Sequence, residues 1–195
     1  MITRGAAPAA VVDAVVEQLW RPASPSGARP TVWAVLDGAR DEGIRSLVRY
    51  SGMEQACLYA GRLPSQLEAA APYLVRLVES AHFTRDLLEA GWGRSWGIYF
   101  TSRGTLDQLR RHLRTFLRVR DERGQRLIFR YYDPRVLRVF LPTCTPSELE
   151  QLFGPVDAYV AEGEDGRSVL RFRRREGEGE GERGRLETER QGLRD

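Results

Sequence analysis

Gly93-Arg94-Ser95-Trp96-Gly97 matches the spacing G-x-S-x-G. In hydrolases that spacing places a serine nucleophile on a sharp turn that follows a strand and opens a helix, so that its hydroxyl stands exposed above the sheet. Here apolar positions at helical spacing precede the motif, and the period-2 run Trp96, Ile98, Phe100 follows it. The order helix, turn, strand is the reverse of what the nucleophile needs. A serine also needs a base, and the chain has only two histidines. His82 lies near a helix start and His112 on the polar face of an amphipathic segment. A small serine hydrolase using Ser95 is therefore the alternative reading, and the favoured one is a glycine-bounded turn on which Trp92 and Trp96 pack. No catalytic residue is assigned.

Other chemistry is thinly supported. All 30 basic residues are Arg, which removes Schiff-base, P-loop-lysine and lysine-base mechanisms. Cys57 and Cys144 stand apart, without C-x-x-C spacing, and read as reduced, buried thiols. Two His and two Cys, scattered, make no metal set, and no glycine-rich loop opens a helix after a strand. We expect no metal and no cofactor.

The arginines are the strongest chemical signal. From Arg110 to Arg138 ten Arg face three acids, a local balance of 10 − 3 = +7 in a chain whose net charge is only +3. Arg110, Arg114 and Arg118 follow i, i+4 spacing and predict an exposed helical stripe. Arg130, Tyr131 and Arg135 lie just beyond. Guanidinium forks beside aromatics suit protein hot spots and nucleic acid alike. A protein partner is favoured, because no nucleic-acid motif is present; an Arg-rich nucleic-acid module is the second alternative. The candidate partner contacts are Arg110, Arg114, Arg118, Arg130, Tyr131 and Arg135.

These residues must be positioned by a fold that the patterning outlines. Val11, Val12, Val15, Val16 and Leu19 fall on one helical stripe interrupted by Asp13 and Glu17, which is not a signal peptide. Arg21 to Pro30 reads as a linker. Strands are expected at Val32–Leu36, Ala56–Tyr59, Tyr73–Leu77 and Trp96–Phe100. Ile44, Leu47 and Val48 mark a short helix. Ser80 is expected to cap a helix ending at Gly91. Thr105 with Gln108, and Thr145-Pro146-Ser147-Glu148, are capping boxes. Hairpins are expected around Glu122-Arg123-Gly124 and around Gly163 to Gly166, with a helix at Val136–Leu141 between them. The fold class is α/β: a mixed sheet with helices packed on it, and short β-hairpins in the C-terminal half. The expected organisation is an N-terminal helix and linker (1–30), a single α/β domain (31–172), and a charged tail (173–195) with too few apolar residues to order itself. No run reaches the roughly 20 apolar residues of a membrane span.

Several stretches, taken in order, resemble one family. They are Ala34-Val35-Leu36-Asp37-Gly38-Ala39-Arg40, Cys57-Leu58-Tyr59-Ala60-Gly61, Ala71-Pro72-Tyr73-Leu74-Val75, Gly91-Trp92-Gly93-Arg94-Ser95-Trp96-Gly97, Phe129-Arg130-Tyr131-Tyr132-Asp133-Pro134-Arg135-Val136-Leu137 and Leu141-Pro142-Thr143-Cys144-Thr145-Pro146. The set, spanning roughly Thr31 to Phe172, is similar to the type VI secretion effector chaperones, or adaptor proteins, a family first catalogued as a domain of unknown function. The resemblance implies a non-catalytic cytoplasmic adaptor without a cofactor. Its partners would be a type VI effector, held near its N-terminal or PAAR-like region, and the VgrG spike, with no membrane partner. Many relatives carry a further helical C-terminal lobe, where this chain has its charged segment.

Overall fold

Val32–Asp37 (β1) is buried along its whole length, which explains its unbroken apolar run. It lies in the interior of a seven-stranded sheet and is covered on both faces. Val32, Ala34 and Leu36 enter one core, while Trp33 and Val35 enter another. The computed structural model describes residues 5–22, 29–120, 123–175 and 184–193, apart from the side chains of Arg120 and Arg126. Residues 23–28 of the expected linker lie outside the described residues.

The other strands of the sheet are Gln55–Cys57 (β2), Pro72–Leu77 (β3), Gly97–Thr101 (β4), Ala158–Glu162 (β7), Ser168–Arg175 (β8) and Arg185–Gly192 (β9). Their order is β2-β3-β1-β4-β7-β8-β9, antiparallel at every pairing. Arg118–Arg120 (β5) and Arg126–Ile128 (β6) form a separate hairpin. One face of the sheet is covered by helices Ala9–Leu19 (α1), Gly43–Arg49 (α2) and His82–Gly91 (α4), through Val15, Leu19, Ile44, Val48, Leu87 and Leu88. The other face carries Leu106–Thr115 (α5), Pro134–Phe140 (α6) and Pro146–Phe153 (α7), through Leu109, Leu113, Leu137, Leu149, Leu152 and Phe153. The short helix Ser65–Ala69 (α3) buries nothing and was not expected. The fold is α/β with helices on a sheet.

Local signals mostly act where the sequence puts them. Thr105 and Gln108 make a reciprocal capping box at α5, and Thr145 and Glu148 do the same at α7. Gly154 ends α7 at positive φ, a conformation glycine adopts without a Cβ clash. Three expectations are corrected. Ser80 is not a cap: α4 is preceded by Ala81, which makes no side-chain cap. α1 is not a separate unit, since Val11, Val12, Val15, Leu19 and Trp20 belong to the core. The segment from Arg173 is not wholly without structure. β8 continues to Arg175, and β9 pairs with it from Ser168↔Gly192 to Arg175↔Arg185. Leu186 packs on one core and Leu193 on the other. Residues 176–183 and 194–195 of that segment lie outside the described residues.

Candidate functional site

The expected partner residues divide into two places. The first is one end of the sheet, where β1 and β7 finish and β3 and β4 begin. Asp37, the last residue of β1, is fully buried. Its Oδ1 accepts from Ala39 N at 3.1 Å, and its Oδ2 is ion-paired with Arg130. The next residue admits no side chain, because a Cβ on Gly38 would lie 2.3 Å from the Ala69 carbonyl oxygen. Asp133 caps α6, accepting from Arg135 N at 2.9 Å, and accepts from the Arg135 guanidinium through Nε (3.0 Å) and Nη2 (2.6 Å). Burial opposes ionisation of Asp133, but Arg135 holds its carboxyl below the usual range.

The Gly93–Gly97 turn belongs to the same end. Its amides close around the buried carboxylate of Glu162, the last residue of β7. Gly93 N donates to Oε2 at 2.6 Å, Ser95 N to Oε1 at 3.0 Å and Ser95 Oγ to Oε1 at 3.3 Å. Desolvation raises the Glu162 carboxyl above its ordinary range despite these donors. Ser95 sits at φ 57°, alone among the described non-glycine residues in having a positive φ, and the carboxylate that ties down its amide and hydroxyl holds it there. Trp92 Nε1 donates to the Gly166 carbonyl at 2.9 Å, and Arg138 to the Glu162 carbonyl at 2.7 Å. Neither histidine joins the turn. His82 is exposed at the start of α4, and His112 Nε2 lies 3.0 Å from the Leu152 carbonyl oxygen. Ser95 is thus set against a carboxylate.

One of the expected partner contacts, Tyr131, is internal. Tyr131 is 1% exposed, and its hydroxyl donates to the Leu113 carbonyl at 2.9 Å, so it is a core residue. Arg130 and Arg135 are engaged with Asp37 and Asp133.

The second place is a groove between the sheet edge and the β5–β6 hairpin. Leu58, Tyr59, Ala60, Leu63, Leu67, Arg114, Leu117, Arg118 and Ile128 line a cavity of about 260 Å³. Leu58 forms its floor, fully buried, whereas Leu67 is 44% exposed and Ile128 58%. Leu127 and Val119, a cross-strand pair, are exposed on the other face of the hairpin. The helical stripe is corrected in part: α5 stops at Thr115, so Arg110 and Arg114 are helical and Arg118 is the first residue of β5. Arg110 is held by the Cys57 carbonyl, to which its Nε donates at 3.1 Å. Arg114 and Arg118 meet at the groove wall and form no ion pair among the described residues. The leucines of the groove come from segments far apart in sequence and were missed. Only Cys57-Leu58-Tyr59-Ala60-Gly61 was singled out, for its resemblance.

Cys57 and Cys144 are free and partly buried, and burial raises both thiols, Cys144 to about 11. Among the described residues no group of His, Cys, Asp and Glu could hold a metal ion, and no helix is long and apolar enough to cross a membrane.

Residues 32–151, more than half of the chain, match the family model described as "Domain of unknown function (DUF4123)". The matched span contains Asp37, the Gly93–Gly97 turn, Arg130, Asp133 and the whole groove. No curated protein and no solved structure matches the chain.

Proposed function

The chain belongs to the DUF4123 family, a domain of unknown function, and we propose that it is an adaptor that binds another protein through the groove beside the β5–β6 hairpin. One observation carries the reading. Leu67 and Ile128 are exposed together at a groove whose wall holds two arginines that pair with no acid among the described residues. Large apolar side chains cost free energy in water, about 25 cal/mol per Å² of exposed apolar surface, and a partner that covers them recovers it. The occupant that fits is an amphipathic segment whose apolar side chains enter between Leu58 and Ile128 and whose acidic side chains meet Arg114 and Arg118.

The resemblance to type VI effector chaperones supports a more definite role. The partner is then a secreted effector, engaged near its N-terminal or PAAR-like part in the cytoplasm and handed to the VgrG spike. That role needs no catalytic residue and no cofactor. The test is capture of the effector encoded beside this chain by wild type, Leu67→Asp/Ile128→Asp and Arg114→Glu/Arg118→Glu. We expect both double variants to melt like wild type and to lose capture, the arginine pair chiefly through on-rate and salt sensitivity. Undiminished capture by both overturns the groove. Binding of wild type to generic DNA with a steep salt dependence, lost in Arg114→Glu/Arg118→Glu, would move the chain to the nucleic-acid binders.

A further inference from the structure

At the opposite end of the sheet a second cleft lies between the end of α1 and the starts of β1 and β7. It has a volume of about 440 Å³, and its lining includes Arg21, Arg29, Thr31, Thr101, Arg103, Asp157, Arg171 and Arg173. Five arginines and one aspartate make it the reverse of the sheet end at Asp37, where each buried carboxylate has donors.

Arg171 is its central feature. It stands on β8 opposite Val160, points to the α1 side of the sheet and is 3% exposed. Its Nη2 donates to the Gln18 carbonyl at the C-terminal turn of α1, where the helix dipole favours a cation. Its Nε has no hydrogen-bond partner among the described residues. A buried donor left unsatisfied costs about 1–3 kcal/mol, more when charged, so such a group calls for an explanation. The nearest acid does not supply it. Glu189 faces Arg171 across the ladder but is ion-paired with Arg21 and lies 3.8 Å from Arg173. Arg29 is paired with Glu79 on the outside. Burial, then Arg173 and Arg21, bring the Arg171 guanidinium down to about 10, still charged at neutral pH. Across the cleft, burial raises the Asp157 carboxyl and Arg103 opposes the rise.

We propose that this cleft binds an oxyanion group of two or more charges, phosphoryl or carboxylate, with Arg171 at its floor and Arg21, Arg103 and Arg173 around it. Guanidinium forks match such oxygens in paired hydrogen bonds, and Thr31 and Thr101 add hydroxyl groups to the wall. None of the described lining residues is aromatic, so the site reads charge and not a nucleobase. It is independent of the groove, shares no lining residue with it, and stands or falls apart from the adaptor reading.

The test is isothermal titration of the full chain, at matched ionic strength, with pyrophosphate, a short oligoglutamate peptide, and sodium chloride as control. We expect saturable binding of pyrophosphate, of oligoglutamate, or of both. The first outcome marks a small phosphoryl anion as the source, and the second an acidic segment of a protein. Either affinity is expected to fall about tenfold or more in Arg171→Met, the scale of one charge-assisted bond. Arg103→Gln, an exposed substitution that leaves the core intact, is expected to weaken it as well. Binding no better than chloride, or binding that survives both substitutions, overturns the proposal.

Discussion

The sheet end at Asp37 and the groove beside the β5–β6 hairpin both draw on the arginine-rich segment, yet they use it in opposite ways. At the sheet end, Arg130 and Arg135 pair with Asp37 and Asp133, and Arg138 donates to a carbonyl. At the groove, Arg114 and Arg118 pair with no acid among the described residues and border exposed leucine and isoleucine. The recognisable motifs, rich in Gly, Trp, Asp and Arg, converge on the first place. Their chemistry is used inside the molecule, to hold strand ends and turns together. The surface proposed for a partner is built mostly from residues that look ordinary in sequence.

The contrast can be broken by experiment. The largest effect is expected at Gly97, in the turn motif at the sheet end. A Cβ there would lie 2.2 Å from the Val35 carbonyl oxygen and 3.0 Å from Leu36 Cα, backbone that cannot give way within the ladder. Gly97→Ala should cost about 3 kcal/mol or more, read as a fall in melting temperature of roughly 10 °C for a chain of this size. A near-native melt would show that this end is less rigid than the packing implies.

Arg130→Met comes next. It leaves the Asp37 carboxylate buried without its partner, at a cost of about 2–3 kcal/mol, below the range for fully buried pairs because the Arg130 side chain is 40% exposed. Adding Asp37→Asn to it should recover part of the loss, a coupling that a double-mutant cycle by chemical denaturation measures. Purely additive costs would mean the pair is incidental.

At the groove, Leu67→Asp and Ile128→Asp should each change stability by under about 0.5 kcal/mol. If thermal melts of these variants fall as far as that of Arg130→Met, the groove is part of the core and the contrast fails.

The smallest effect concerns pH. His112 lies on α5, edge-on to Phe116, with its ring against Gly154. Burial lowers its pKa below 6.5, opposed by the Leu152 carbonyl. The unfolded chain therefore binds the proton first. Stability from this group is complete above 6.5 and is lost as pH falls through the lower folded value. Glu162 acts with the opposite sign, its raised carboxyl reducing stability as pH rises above 4.5. His112→Gln should flatten the melting temperature between pH 6.5 and 5 relative to wild type, and a profile parallel to wild type would remove His112 from the account.

Much of the fold is legible because its determinants are local. Two capping boxes, each using a threonine and a side chain three residues on, satisfy free helix donors within one turn. β1 can be recognised from a few consecutive residues because burial on two faces demands an apolar run, and β4 from the period-2 alternation of Trp96, Ile98 and Phe100. β9 could not be recognised. Its sequence Arg185-Leu186-Glu187-Thr188-Glu189-Arg190 lacks the composition of a strand. Its order comes from the ladder with β8, where Glu187 faces Arg173 and Glu189 faces Arg171. The supposed stripe of Arg110, Arg114 and Arg118 failed for a related reason. Spacing describes a helix only while the helix lasts, and the chain leaves α5 at Thr115 to enter the hairpin.

By itself, then, the sequence determined most of the elements, α3 and β9 excepted, the α/β class and the turn at Gly93–Gly97, since each depends on hydrogen bonds and apolar periodicity within a few residues. Tertiary structure decided which charges are paired and which face solvent. Asp37 and Arg130 are 93 residues apart, as are no two partners that a local pattern could join. Leu58, Leu67, Leu117 and Ile128 form a groove only once β2, α3, α5 and the hairpin stand side by side. Coulomb energy and apolar burial depend on distance in space, and the order of residues along the chain does not contain that distance.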